Sequence, residues 1–163
     1  MSKLEHIVSF QELKIEKIPI KVAIFLSEEF IEKMPLTSSE PEIWPWFFKM
    51  GLKPIFKQII YIKNFEEIKE YSEVKIIVVP ELWGWFLDFS LGEENWYCSI
   101  EFKIRLLDIS GKEIKSFLIN GRQKGKKRIE VLGITMSEVI GKFQYSIADR
   151  FDREGKEIVY FSK

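Results

Sequence analysis

Apolar and polar positions along this chain fall into two rhythms. "IKVAIFL" (20–26) and "VKIIVVP" (74–80) are almost unbroken runs of β-formers. Such runs predict strands covered on both faces. Pro80 predicts the end of the second strand, and "ELWGWF" (81–86) then starts a turn towards a later hairpin. "WYCSIEFKIRLLDI" (96–109) instead alternates, with Tyr97, Ser99, Glu101, Lys103 and Arg105 opposed to Cys98, Ile100, Phe102, Ile104 and Leu106. That period of two predicts a strand with one wet face. Ser110-Gly111 supplies a tight turn, and "EIKSFLING" (113–121) pairs back as a hairpin. From 129 to 151 the spacing changes to three and four. Leu132, Met136, Val139, Ile140, Phe143, Ile147 and Phe151 share one stripe, which predicts a long amphipathic helix with Gly155 as its stop.

The remaining segments are shorter. Residues 1–18 are a polar lead-in with Ile7, Phe10, Leu13 and Ile15, read as an added edge strand or a loose segment. "SEEFIEKM" (27–34) predicts a helix capped by Ser27, with acids in its first turn. Pro35, Pro41 and Pro45 mark 35–45 as loop. "WFFKMGLKPIFKQ" (46–58) has helical spacing at Phe48, Leu52, Ile55 and Phe56, with Pro54 as a kink or an early-turn residue. "IIYI" (59–62) predicts a strand, and "NFEEIKEY" (64–71) a short helix capped by Asn64.

The order is strand, helix, helix, strand, short helix, strand, hairpin, long helix. It predicts an α/β (α+β) fold: a mixed sheet covered by helices, with a C-terminal antiparallel hairpin and a long helix. The expected organisation is a single domain over 1–163, with a lead-in at 1–17, a core at 18–155 and a tail at 156–163.

Composition narrows the function. Lys plus Arg and Asp plus Glu balance at 25 each, so no global field favours nucleic acid or an anionic membrane. The single Cys excludes an intramolecular disulfide. No apolar stretch reaches membrane-spanning length. "MSKLEHIVSFQELK" has no hydrophobic signal core, cleavage site or lipidatable cysteine, so the expectation is either a cytosolic chain or one whose signal was removed upstream.

Catalytic raw material is scarce. His6 is the only histidine and lies near the terminus, so a His-based catalyst or metal cluster has little to work with. Cys98 sits on the apolar phase of its strand and reads as a small buried hydrophobe. The carboxylate pairs Glu28/Glu29, Glu66/Glu67 and Glu93/Glu94 are sequence neighbours that do not face each other on a helix. Nothing matches a nucleophile elbow, a P-loop or a dinucleotide turn. The expectation is therefore no enzyme, no cofactor and no metal.

Two groups remain as candidate contact residues. Trp44 and Trp46, in "WPWFF" (44–48), and Trp83 and Trp85, in "WGWF" (83–86), lie in or beside expected loops, where large aromatics often mark partner contacts. Phe47, Phe48 and Phe86 read as core. Arg122, Lys124, Lys126, Lys127 and Arg128 form a basic loop in "GRQKGKKR" (121–128). The plain reading is a solvated segment, and the sharper one is a polyanion contact.

"KIPIKVAIFLSEEFIEKM" resembles the opening of uncharacterised bacterial envelope proteins, many of them lipoproteins, in which such a strand leads straight into a short helix. "MGLKPIFKQIIYIKNFEEI", "VKIIVVPEL", "IEFKIRLLDISGKEIKSFLINGRQKG" and "MSEVIGKFQYSIADRF" fit the later parts of that pattern. The arrangement is similar to the TolB N-terminal-like fold of transport-auxiliary lipoproteins. The resemblance covers about residues 18–152. It implies a non-enzymatic accessory or assembly protein, periplasmic or anchored to the outer membrane. Its lipidated cysteine would lie outside this sequence. Its partner would be an unknown protein, such as a membrane-associated complex or a second copy, with nucleic acid disfavoured. The alternative is a cytoplasmic binding module using 121–128 for nucleic acid or another polyanion.

Overall fold

The computed structural model describes residues 3–13, 16–34 and 42–151. Within them lie helix α1 (Lys3–Ile7), strand β1 (Ile18–Phe25), helices α2 (Glu28–Lys33) and α3 (Ile43–Leu52), strand β2 (Phe56–Ile62), a 3-10 helix (Phe65–Glu70), strands β3 (Val74–Ser90), β4 (Asn95–Leu107) and β5 (Glu113–Gly125), and helix α4 (Arg128–Ala148). The strands form one sheet in the order β2-β1-β3-β4-β5. β1 runs parallel to β2 and β3, whereas β4 is antiparallel to β3 and β5. This is the expected mixed sheet with helices.

One face of the sheet lies under the helices. The apolar phase of β4, Cys98 to Leu106, is buried against α4, whose Leu132, Met136, Val139, Ile140, Phe143 and Ile147 form the predicted stripe. α3 adds an aromatic cluster: Trp44 packs edge-on against Phe47 at 5.2 Å, and Phe48 against Phe102 at 5.5 Å. Among the described residues, the opposite face is covered at one end only. There Ala23, Ile62, Val74, Ile77, Val79 and Leu107 form a second cluster under Phe65 and Ile68 of the 3-10 helix.

Local signals explain several boundaries. Ser27 Oγ accepts from Phe30 N at 3.1 Å, and Asn64 Oδ1 accepts from Glu67 N at 3.2 Å, so both expected caps form. The Asp108 carboxylate accepts from the Ser110 and Lys112 amides and closes the β4–β5 turn, where Gly111 takes a φ of 89°.

Other expectations are corrected. In its described residues the lead-in forms a short helix and not an edge strand. Its α1 lies on α4, Leu4 and Val8 are buried, and Gln11 N donates to Gln144 Oε1 at 2.9 Å. The second helix ends at Leu52, so Ile55 and Phe56 lead into β2. Pro45 lies in the first turn of that helix, where its missing N–H has no intrahelical partner to lose. The expected loop at 35–41 and the helix stop at Gly155 lie outside the described residues. Pro80 does not end its strand: β3 runs on to Ser90. It stands two residues past Val78, the last position that β1 pairs, where β3 has become an edge on that side. A sheet tolerates a residue without an N–H at such a place.

Candidate interaction surface

The most unusual element is the far half of β3. β4 pairs with it from Ile77 to Ser90, whereas β1 reaches only from Val74 to Val78. The β3–β4 hairpin therefore projects beyond the parallel part of the sheet. A register shift between Leu82 and Gly84 leaves Trp83 as the extra residue of a bulge. Large apolar side chains crowd this projection. Trp83 is 57% exposed, Phe89 43% and Leu91 85%, with Phe86 also on the surface. Leu118 of β5 is exposed on the same face as Lys103, beside Trp83.

The four candidate tryptophans separate. Trp44 is a correction: it is 0% exposed, because α3 begins at Ile43 and turns it into the core. Trp46 is half-buried, and Phe10 of the lead-in meets it edge-on at 5.4 Å. Trp83 stands out from the bulge with Lys103 Nζ 5.9 Å from its ring. Trp85 points to the helical face and donates from Nε1 to the Lys33 carbonyl at 3.2 Å, tying the end of α2 to the strand. Phe86, read as core, is exposed: it pairs with Ser99 on the face that no described helix covers. The exposed aromatic side chains are thus Trp83, Trp85, Phe86 and Phe89, with Phe86 on the face opposite to Trp85 and Phe89.

The basic segment is not a loop. β5 continues to Gly125, and Arg128 opens α4. The strand pairing of 121–125 with β4 accounts for this, placing Arg122 beside Ser99 and Lys124 beside Tyr97. The other three cations turn to separate partners. Lys126 Nζ donates to the Glu94 carbonyl at 3.2 Å, Lys127 Nζ lies 3.8 Å from Glu130, and Arg128 sits 5.9 Å over the Trp96 ring. The five charges therefore do not converge on one site.

Chemistry elsewhere is modest. Cys98 is fully buried, and burial pushes its thiol above the usual range despite a hydrogen bond with Thr135. His6 lies on the exposed side of α1. Among the described residues no group of three or more His, Cys, Asp or Glu is placed to hold a metal ion. A cleft of about 370 Å³ opens where β1 stops beside β3. Its floor is Phe25, Phe30, Val79 and Leu82, and its rim is Glu29, Lys33, Glu81 and Arg105. Arg105 Nε donates to Glu113 at 2.8 Å and its Nη1 to Glu81 at 3.2 Å; the Glu113 bond foremost raises the guanidinium above its ordinary value. Among the described residues no helix is long and apolar enough to cross a membrane.

No family model matches the chain, and no curated protein matches it. Solved structures do. A Helicobacter pylori protein described as a homologue of neuraminyllactose-binding hemagglutinin shares 12% identity at a TM-score of 0.53, over 90% of this chain and 92% of that one. A minor lipoprotein of Acinetobacter baumannii shares 8% identity at a TM-score of 0.49, over 82% and 94%. The PelC dodecamer of Paraburkholderia phytofirmans shares 13% at 0.47, over 77% and 88%. At 12% identity the likeness to the Helicobacter pylori protein is one of fold: it extends over nearly the whole of both chains.

Proposed function

We propose that this chain is a non-enzymatic accessory or assembly protein of the bacterial cell envelope, with a TolB N-terminal-like domain that acts by protein–protein contact through the β3–β4 hairpin. In this reading it is exported and held at the membrane by a lipidated cysteine upstream of residue 1. The observation that carries the contact role is the projection itself. Trp83, Trp85, Phe86, Phe89 and Leu91 stand exposed on one hairpin, whereas Trp44, Phe47, Phe48, Phe56, Phe102 and Phe143 pack inside. Exposed aromatics concentrated on one projecting hairpin are the composition of a contact surface. The envelope role draws support from the "KIPIKVAIFLSEEFIEKM" resemblance and from the fold shared with a hemagglutinin homologue. The non-enzymatic reading draws on the buried Cys98 and the isolated, surface-placed His6.

Intact mass of the protein from fractionated source cells tests this. A mature chain with a lipid-modified cysteine ahead of residue 1, in the membrane fraction, is the expected result. An unmodified chain starting at Met1 or Ser2, in the soluble fraction, overturns the envelope reading and returns attention to Arg122 and Lys124 as a polyanion contact.

A further inference from the structure

We infer that the cleft outside the carboxyl ends of β1 and β2 binds an extended organic cation, an aliphatic chain carrying amino groups at its ends. This site is separate from the hairpin and goes beyond the contact role.

Topology opens the cleft. β1 and β2 are parallel neighbours in the sheet. The chain leaves β1 for α2 and α3, whose Phe30, Trp44 and Phe47 pack on one face. It leaves β2 for the 3-10 helix, whose Phe65 and Ile68 pack on the other. Connections that part to opposite faces leave a crevice at the carboxyl ends of the two strands, the place where open α/β sheets hold ligands. Here the crevice has a volume of about 480 Å³, the size of a small-molecule site. Leu26, just past β1, and Tyr61, near the end of β2, line it together with Ile31 of α2 and Pro45 of α3.

Its charges are unbalanced. Glu28, Glu32 and Glu42 line the cleft against one ammonium, Lys63. None of these four has an ion pair among the described residues. α2 shows the contrast within six residues. Its Glu29–Lys33 pair, at 2.7 Å, turns to the neighbouring cleft beside β3, where Arg105 also engages Glu81. Its Glu28 and Glu32 stand one turn apart on the cleft between β1 and β2, and like charges at that spacing repel. The Lys63 N–H donates to Glu67 at 3.0 Å, which brings a further carboxylate to the same strand end. Tyr61 registers the field: burial foremost, then Glu42 and Glu67, hold its hydroxyl above the ordinary 10.0.

Spacing selects the form of the cation. Among the described residues no three His, Cys, Asp or Glu side chains group closely enough to hold one metal ion. A compact divalent ion needs such convergence. Carboxylates spread around an apolar wall instead suit amino groups joined by methylenes, with the chain lying along Leu26, Ile31 and Pro45.

The probe is diaminohexane, titrated into the whole chain at low salt and read by methyl NMR at Leu26 and Ile31. Hexanediol keeps the apolar chain without the charge, and magnesium ion supplies charge without the chain. The expected result is saturable shifts at both residues with the diamine alone. Glu28→Gln together with Glu32→Gln is expected to weaken binding about five- to tenfold, the scale of two exposed ion pairs. Lys63→Met removes the competing cation and is expected to tighten binding about twofold, a direction that a damaged fold does not give. In the free chain, Glu32→Gln is expected to raise the melting temperature, since it removes the repulsion with Glu28. Absence of saturable shifts at Leu26 and Ile31 overturns the inference, as do equal shifts with hexanediol or magnesium ion, or binding that the glutamine variants leave unchanged. A lowered melting temperature of Glu32→Gln overturns it as well, because a cation of the chain itself would then already hold that carboxylate.

Discussion

The two ends of β3 obey opposite rules. At Ile77 and Val78 the strand is flanked by both β1 and β4, and from Ile76 to Val79 it is buried on both faces. From Leu82 to Ser90 it has, among the described residues, one neighbouring strand, one partly covered face and most of its large side chains exposed. The residue types differ little: both halves are apolar and rich in β-formers. What differs is the number of elements within reach. Burial is therefore a property of the neighbourhood, and the same chemistry that makes a core in one half makes a contact surface in the other.

Predictions sharpen this contrast, the largest effect first. Trp44→Ala empties a fully buried site among Phe47, Phe48 and Phe102 and is expected to cost about 3–5 kcal/mol in denaturant unfolding. Trp83→Ala, the same change on the hairpin, is expected to shift stability by no more than about 0.5 kcal/mol. Comparable losses at both sites would break the comparison.

Gly121→Ala tests how closely β5 lies on α4. A Cβ there would meet Val139 Cγ2 at 2.7 Å and the Thr135 carbonyl at 2.9 Å. The backbone oxygen cannot rotate away, so an overpacking loss of about 1–3 kcal/mol is expected in the melting transition. Gly84→Ala is its counterpart on the hairpin, where the Cβ meets nothing within 4 Å, and it is expected to be close to neutral.

Gln144→Leu tests the polar tie within the buried half. Its side-chain amide donates to the Gly51 carbonyl at 3.0 Å and accepts from Gln11 N at 2.9 Å, joining α4, α3 and the lead-in. Leaving those groups unpaired is expected to cost about 1–3 kcal/mol and to speed amide exchange at Gln11.

The smallest effect is at the β4–β5 turn. The Ser110 hydrogen bond, with the Lys112 amide, holds the Asp108 carboxyl below its ordinary value of 3.8. A depressed folded value means that the contribution is complete above pH 3.8 and is lost as pH falls through the folded value. Asp108→Asn is expected to flatten the acid limb of the stability–pH curve, measured by urea midpoints.

Much of the architecture was legible in order and period. The alternation of 96–109 became β4 with its apolar phase inward, and the stripe from Leu132 to Ile147 became the buried side of α4. Ser27 and Asn64 announced their helices because a cap is a contact between residues three apart. Cys98 read correctly because its phase was shared with Ile100 and Phe102. The candidate surface was legible only in part. "WGWF" was singled out, but it was taken for a turn, and the exposed Phe86 was taken for core. "GRQKGKKR" looked like a loop because glycines and cations hide a strand whose partner lies some twenty residues away.

Local sequence by itself determined the caps, the periods and the class of sheet, since each depends on neighbours within a few residues. Only the tertiary structure decided which tryptophans see water, whether a strand survives its proline, and where β3 loses a partner. Each of those depends on which distant element lies alongside. β1 stops pairing at Val78 while β4 continues to Ser90, and nothing within the ten residues between Glu81 and Ser90 records that difference.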